Sequence, residues 1–174
     1  GPLNVFWLLA AVGLVQRLGR AIGLEDRQAW LAAMLYASLP MTSAMTGSLQ
    51  VESATPAMIA ALALAILSTT TFDARALRLV AALACLLMGA KMSNGLMLLP
   101  FAIWLLWQWR GRLPWTGMPV AVASAAFIGG SSYAYAFALT GNPVLPAFNA
   151  LFQSPWFPAV NFIDLRWQTG VPWN

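Results

Sequence analysis

Apolar residues run along this chain in six stretches, at about 3–22, 29–45, 53–68, 74–90, 95–109 and 118–139, and each predicts a helix. The breaks between them are short and polar or turn-forming: "GLEDRQ", "TGSLQVE", "TTTFD", "KMSN" and "RGRLPWTG". From Thr140 the pattern changes. The remaining stretch, "TGNPVLPAFNALFQSPWFPAVNFIDLRWQTGVPWN", is rich in Pro, Asn and aromatics, the composition of an ordered interfacial loop rather than of a further span.

The run 79–109 admits two readings. As one helix it would be roughly 46 Å long, against a hydrocarbon core of about 30 Å. As two helices broken at "KMSN", the first starts near Asp73 as N-cap and the second at Ser93 or Asn94. Charge decides between them. With the break at Lys91, seven arginines (Arg17, Arg20, Arg27, Arg75, Arg78, Arg110 and Arg112) fall on one side, and Lys91 and Arg166 on the other. A single long helix would move Arg110 and Arg112 across and weaken the asymmetry. The positive-inside rule therefore favours the hairpin, with the seven arginines cytoplasmic and Lys91 in an outer turn. The N-terminal end then lies outside, and the chain reads as a piece of a longer protein.

Composition sharpens the class. The chain is 60% hydrophobic and 8% charged, with mean hydropathy +0.72 and no histidine, whereas soluble domains carry about 25% charged residues. The expected fold is all-α: a polytopic transmembrane bundle of about six helices over residues 1–139, followed by an extracytoplasmic, interfacial segment at 140–174. The sequence pI near 10.0 comes from nine basic residues spread along the chain. No aromatic–basic cluster accompanies them, which argues against nucleic acid as a partner. The lone Cys85 cannot form an internal disulfide, and without histidine no metal-ligand constellation is recognisable. Histidine-dependent catalysis is excluded, and neither a glycine-rich phosphate loop nor a nucleophile elbow is present.

Four charged residues remain on the outer side: Glu52, Lys91, Asp164 and Arg166. A cation at mid-bilayer costs about 2.5–3.5 kcal/mol, so near-membrane charges pair or line polar cavities. One reading makes Glu52 and Lys91 solvated interfacial charges, or an ion pair locking two hairpins. The other has Lys91 and Arg166 bind an anionic head group, with Glu52 and Asp164 beside a polar substrate. Pro40, Pro56 and Pro100 interrupt apolar runs, and "IGGSSYAYAF" offers small residues for close helix contact. The nine tryptophans suit aromatic belts at the two interfaces.

"SLPMTSAMTGSLQVESATPAMIAALALAIL" followed by "AALACLLMGAKMSNGLMLLPFAIWLL" resembles the middle of bacterial membrane glycosyltransferases of the C-type superfamily. These are similar to dolichyl-phosphate-mannose–protein mannosyltransferases and related to lipid A aminoarabinose transferases. The resemblance implies a helical enzyme of the bacterial inner membrane that takes its sugar from a polyprenyl-phosphate-linked donor, its one implied co-substrate, on the periplasmic face. It places Lys91, in the turn "GAK", towards the donor phosphate, and Glu52 where the family often has Asp. A basic residue commonly precedes that acid, and "GSLQVE" has none. Arg166 matches only loosely. The family's catalytic base lies in an outer loop that would precede Gly1, so no catalytic residue is assigned and this stretch alone is expected to be inactive. A transporter or flippase of a lipid-linked intermediate is the alternative, as is a structural subunit of a membrane complex.

Overall fold

A computed structural model describes residues 2–47, 53–69, 71, 73–109 and 114–161. Among the described residues the chain is all-α. The helices are α1 (Pro2–Ala21), α2 (Asp26–Ser38), α3 (Pro40–Gly47), α4 (Ala54–Ser68), α5 (Ala74–Ala90), α6 (Asn94–Gln108), α7 (Met118–Thr140) and the single turn α8 (Asn149–Phe152). A 3-10 turn, Trp115–Gly117, leads into α7. The chain divides into two compact units, Gly1–Gly130 and Ser131–Asn174.

Local chemistry accounts for most boundaries. Helix α1 ends in a Schellman motif: Gly23 takes a φ of +96°, its N–H donates to Arg20 O, and the Leu24 N–H donates to Gly19 O, each at 3.0 Å. Only glycine adopts that φ without a Cβ penalty. Glu25 and Gln28 then form a reciprocal capping box at the start of α2. Asp73 caps α5 as expected, its carboxylate accepting from the Ala76 N–H at 2.8 Å.

The three prolines behave differently from one another. Pro40 divides the expected helix 29–45 into α2 and α3, because a proline pushes the preceding residue out of the helical region, and Leu39 is extended (φ −60°, ψ 131°). Pro40 itself occupies the first position of α3, where a missing N–H is harmless. Pro56 falls in the first turn of α4 for the same reason and interrupts nothing. Pro100 lies inside α6, a straight loss of one ladder bond.

Within the first unit, Leu62 and Ile66 of α4 pack on Val80 and Leu87 of α5, with Leu98, Phe101 and Trp104 of α6 against them. Leu77, Trp109 and Ala121 join α5 to the start of α7. The apolar faces are far from used up. Leu3, Phe6 and Leu9 on α1, Leu96, Leu99, Ile103 and Leu106 on α6, and Val122 and Phe127 on α7 are all exposed, Phe127 to 83%. Two helical runs, Pro2–Ala21 and Trp115–Thr140, are long and apolar enough to cross a membrane. Helices α4 and α6 are equally apolar but only 15 residues each, about 22 Å at helical rise.

Within "IGGSSYAYAF", Gly129 serves packing. Gly129 is buried on α7, and a Cβ there would collide with the backbone of Cys85 on α5. Gly89, one turn along α5, would in turn place a Cβ 2.9 Å from Gly129 O.

The second unit is organised by two asparagines, each fully buried. The Asn149 amide donates to the carbonyls of Ser154, Phe157 and Pro158, and its Oδ1 accepts from the Ser154 N–H and from Asn142 Nδ2. Asn142 also donates to Ala147 O and accepts from the Val144 N–H. This network holds Phe148 and Gln153, which flank α8, in the left-handed region at φ 53° and 51°, a conformation that costs about 1–2 kcal/mol for a residue with a side chain. Residues 141–161 thus form a loop with one helical turn.

Candidate functional site

Of the four outer charges named from the sequence, Glu52, Asp164 and Arg166 lie outside the described residues. Lys91 is described. It is the C-cap of α5, exposed, with its N–H donating to Leu87 O at 3.3 Å and its carbonyl accepting from the Asn94 N–H at 3.0 Å. The helix break at "KMSN" therefore stands where it was expected, between Ala90 and Asn94.

The cap of the second helix works differently from the expectation. Ser93 occupies the N-cap position of α6 but makes no capping bond with its side chain. Asn94 turns backwards instead. Its Nδ2 donates to Leu87 O at 3.0 Å and to Thr55 Oγ1 on α4 at 3.4 Å, with only 6% of the residue exposed. One amide thus closes the C-terminus of α5 and ties the hairpin to the first turn of α4.

A second polar link lies at the start of α4. Ser53 Oγ donates to Asn4 Oδ1 of α1 at 2.8 Å, both residues being buried. Since Asn4 and Ser53 open their respective helices, α1 and α4 run parallel and α5 runs back against them. The geometry then sorts the charges. Arg17 and Arg20 at the end of α1, Arg27 at the start of α2, and Arg75 and Arg78 at the start of α5 share one end of this unit. Lys91, Asn94, Thr55, Ser53 and Asn4 share the other.

At the Lys91 end a cavity of about 240 Å³ opens among α1, α2, α3 and α4, lined by Leu8, Leu39, Met41 and Pro56 together with Tyr36, Thr42, Thr46 and Ser53. Thr46 Oγ1 donates to Thr42 O at 2.8 Å. The cavity is apolar with a fringe of hydroxyls, which suits an alkyl or isoprenoid chain below a polar group. A wider hollow of about 530 Å³ lies at the arginine end, beside Thr69, Asp73 and Arg75. Of its polar groups, Asp73 caps α5 and Thr69 Oγ1 donates to Ala65 O at 2.6 Å. Among the described residues, no three His, Cys, Asp or Glu gather as a metal site.

The sequence reading overlooked Asn4, Ser53 and the cavity hydroxyls. The available signal was the isolated Asn4 in an apolar run, but its partner stands 49 positions away. Comparisons with family models, with curated proteins and with solved structures return no match. The described residues define an all-helical fold with two helices of membrane-spanning length, and the first unit carries a polar seam at one end and basic residues gathered at the other.

Proposed function

We propose that this chain is part of the membrane core of a glycosyltransferase that uses a polyprenyl-phosphate-linked sugar, with the donor phosphate at the Lys91 end. The observation that carries the reading is the sorting of charge among the described residues: five arginines at one end, and the exposed Lys91 at the other, the end that also holds the buried polar seam and the apolar cavity. Large apolar side chains exposed along α1, α6 and α7 are what lipid contact requires. All six helical segments cross the membrane in this reading, the short ones where protein neighbours or local thinning accommodate them. The arginine end faces the cytoplasm and the Lys91 end the periplasm.

The chemistry follows from charge. Loss of the sugar leaves a lipid phosphate whose negative charge grows in the transition state, and a fixed cation next to it lowers that barrier. Lys91 takes this role, with Arg166 as a second cation. Glu52, next in sequence to Ser53, and Asp164 orient the polar sugar or acceptor.

The test uses the full-length protein in vesicles with a polyprenyl-phosphate-linked sugar and measures release of polyprenyl phosphate. Lys91→Ala should slow release by about 10²–10³-fold, the usual effect of removing one transition-state donor, and Lys91→Arg should retain more. Unchanged release in Lys91→Ala would refute the assignment. A transporter of the same lipid-linked class is the competing reading, favoured by the Pro40 break between α2 and α3, because discontinuous helices flank transporter sites. Movement of the donor between leaflets without release would decide for it.

A further inference from the structure

The segment that follows α7 carries no charged residue from Gly141 to Asn161. It presents large apolar side chains to its surroundings: Leu151 is 77% exposed and Trp156 72%, with Phe148 and Val160 more than half exposed. Much of its backbone hydrogen bonding is internal. Pro143, Pro146, Pro155 and Pro158 have no N–H to satisfy. Asn142 and Asn149 take up the Val144 and Ser154 N–H groups and the Ala147, Ser154, Phe157 and Pro158 carbonyls. Asn161 Oδ1 accepts from the Ala150 N–H, and Ser154 Oγ from the Trp156 N–H.

These two properties belong together in one setting. Irregular backbone enters lipid only when its polar groups are satisfied internally. Aromatic and aliphatic side chains without charge favour the boundary between headgroups and acyl chains, where tryptophan in particular concentrates. Helix α7, of spanning length and apolar, delivers the segment there directly, since only Gly141, at φ +73°, separates the helix from the buried Asn142.

We propose that residues 141–161 form a preorganised wedge that seats in the headgroup–acyl boundary of the leaflet where α7 ends. Phe148, Leu151, Trp156 and Val160 insert, and the buried Asn142–Asn149 pair braces the backbone from behind. The inference rests on α7 being a membrane span and is independent of the enzymatic reading. It makes the loop a lipid-facing element rather than a solvent-facing one.

Cys85 is the only cysteine in the sequence, so a Cys85→Ala background of the full chain in phosphatidylethanolamine–phosphatidylglycerol vesicles accepts one nitroxide at a time. Labels are placed through Leu151→Cys, Trp156→Cys, Phe127→Cys in α7 and Arg27→Cys at the start of α2. Collision with oxygen, which partitions into lipid, is compared with collision with a water-soluble nickel chelate. At 151 and 156 the oxygen-to-nickel ratio should be several-fold higher than at 27 and lower than at 127. A ratio at 151 and 156 equal to that at 27 overturns the wedge while a high ratio at 127 leaves the span intact. A ratio at 127 equal to that at 27 removes the span, and the wedge with it. Low collision with both reagents at 151 and 156 means a protein surface covers the loop, which also overturns the proposal. Adding Asn149→Ala should raise label mobility and lower the ratio at 151 and 156 without moving 127; no change there would refute the bracing role.

Discussion

The crossing of α5 and α7 offers a demanding test of the helix packing, because two adjacent glycines on α7 should respond in opposite directions. A Cβ at Gly129 would collide with the Cys85 carbonyl oxygen and lie 2.8 Å from both the Cys85 carbonyl carbon and its Cβ. Ordinary carbon–carbon contact is about 3.5–4.0 Å, so the helices must part by roughly 1 Å. At Gly130 a Cβ meets nothing within 4 Å. Glycine-to-alanine in a helix gains about 1 kcal/mol of intrinsic propensity at either site, so that contribution cancels between them. Overpacking a close contact costs about 1–3 kcal/mol. Gly129→Ala should therefore be less stable than Gly130→Ala by about 1–3 kcal/mol, or roughly 2–12 °C in melting temperature for a chain of this size. Tryptophan fluorescence on heating in detergent micelles gives the melt. Cys85 adds a local readout, since its thiol sits at the crossing and should react faster with a small thiol reagent in Gly129→Ala than in Gly130→Ala. Equal melting temperatures and equal Cys85 rates in the two variants would refute the close crossing.

Two further outcomes probe the polar seam. Asn94→Ala should destabilise by about 1–3 kcal/mol, the effect of leaving buried polar partners unsatisfied, while Ser93→Ala one residue earlier should stay within about 0.5 kcal/mol; denaturant unfolding distinguishes them, and equal effects would count against Asn94 as the closing residue. A double-mutant cycle of Asn4→Ala and Ser53→Ala should yield a coupling near 0.6 kcal/mol and no more than about 1.7, the range for hydrogen bonds between membrane helices. A coupling of zero would mean that α1 is held to α4 by packing alone.

The close crossing and the seam also show how unevenly the structure could be read from the sequence. Helix ends were legible wherever a local device sets them. Asp73 caps α5, the glycine after α1 takes a positive φ, and "KMSN" separates α5 from α6. Such features depend on backbone sterics and on orphan N–H and C=O groups within one turn, all of which lie close in sequence. Pro40 was legible as an interruption but not as a clean division into α2 and α3, because a proline can kink, start or stop a helix according to what packs beside it.

What the sequence by itself determined is the helical class, those helix ends that a local device sets, and the charge imbalance between alternate turns. What only the tertiary structure decided is the use of the polar residues. Asn94 could cap its own helix or its predecessor, and it does the latter because Thr55 stands within reach. Ser53 finds Asn4 only once α1 and α4 lie parallel. Asn142 and Asn149 read as loop composition until folding buries them among carbonyls. The reason is physical: a backbone group finds its partner three or four residues away, whereas a side-chain amide takes whatever partner the packing of distant segments brings to it.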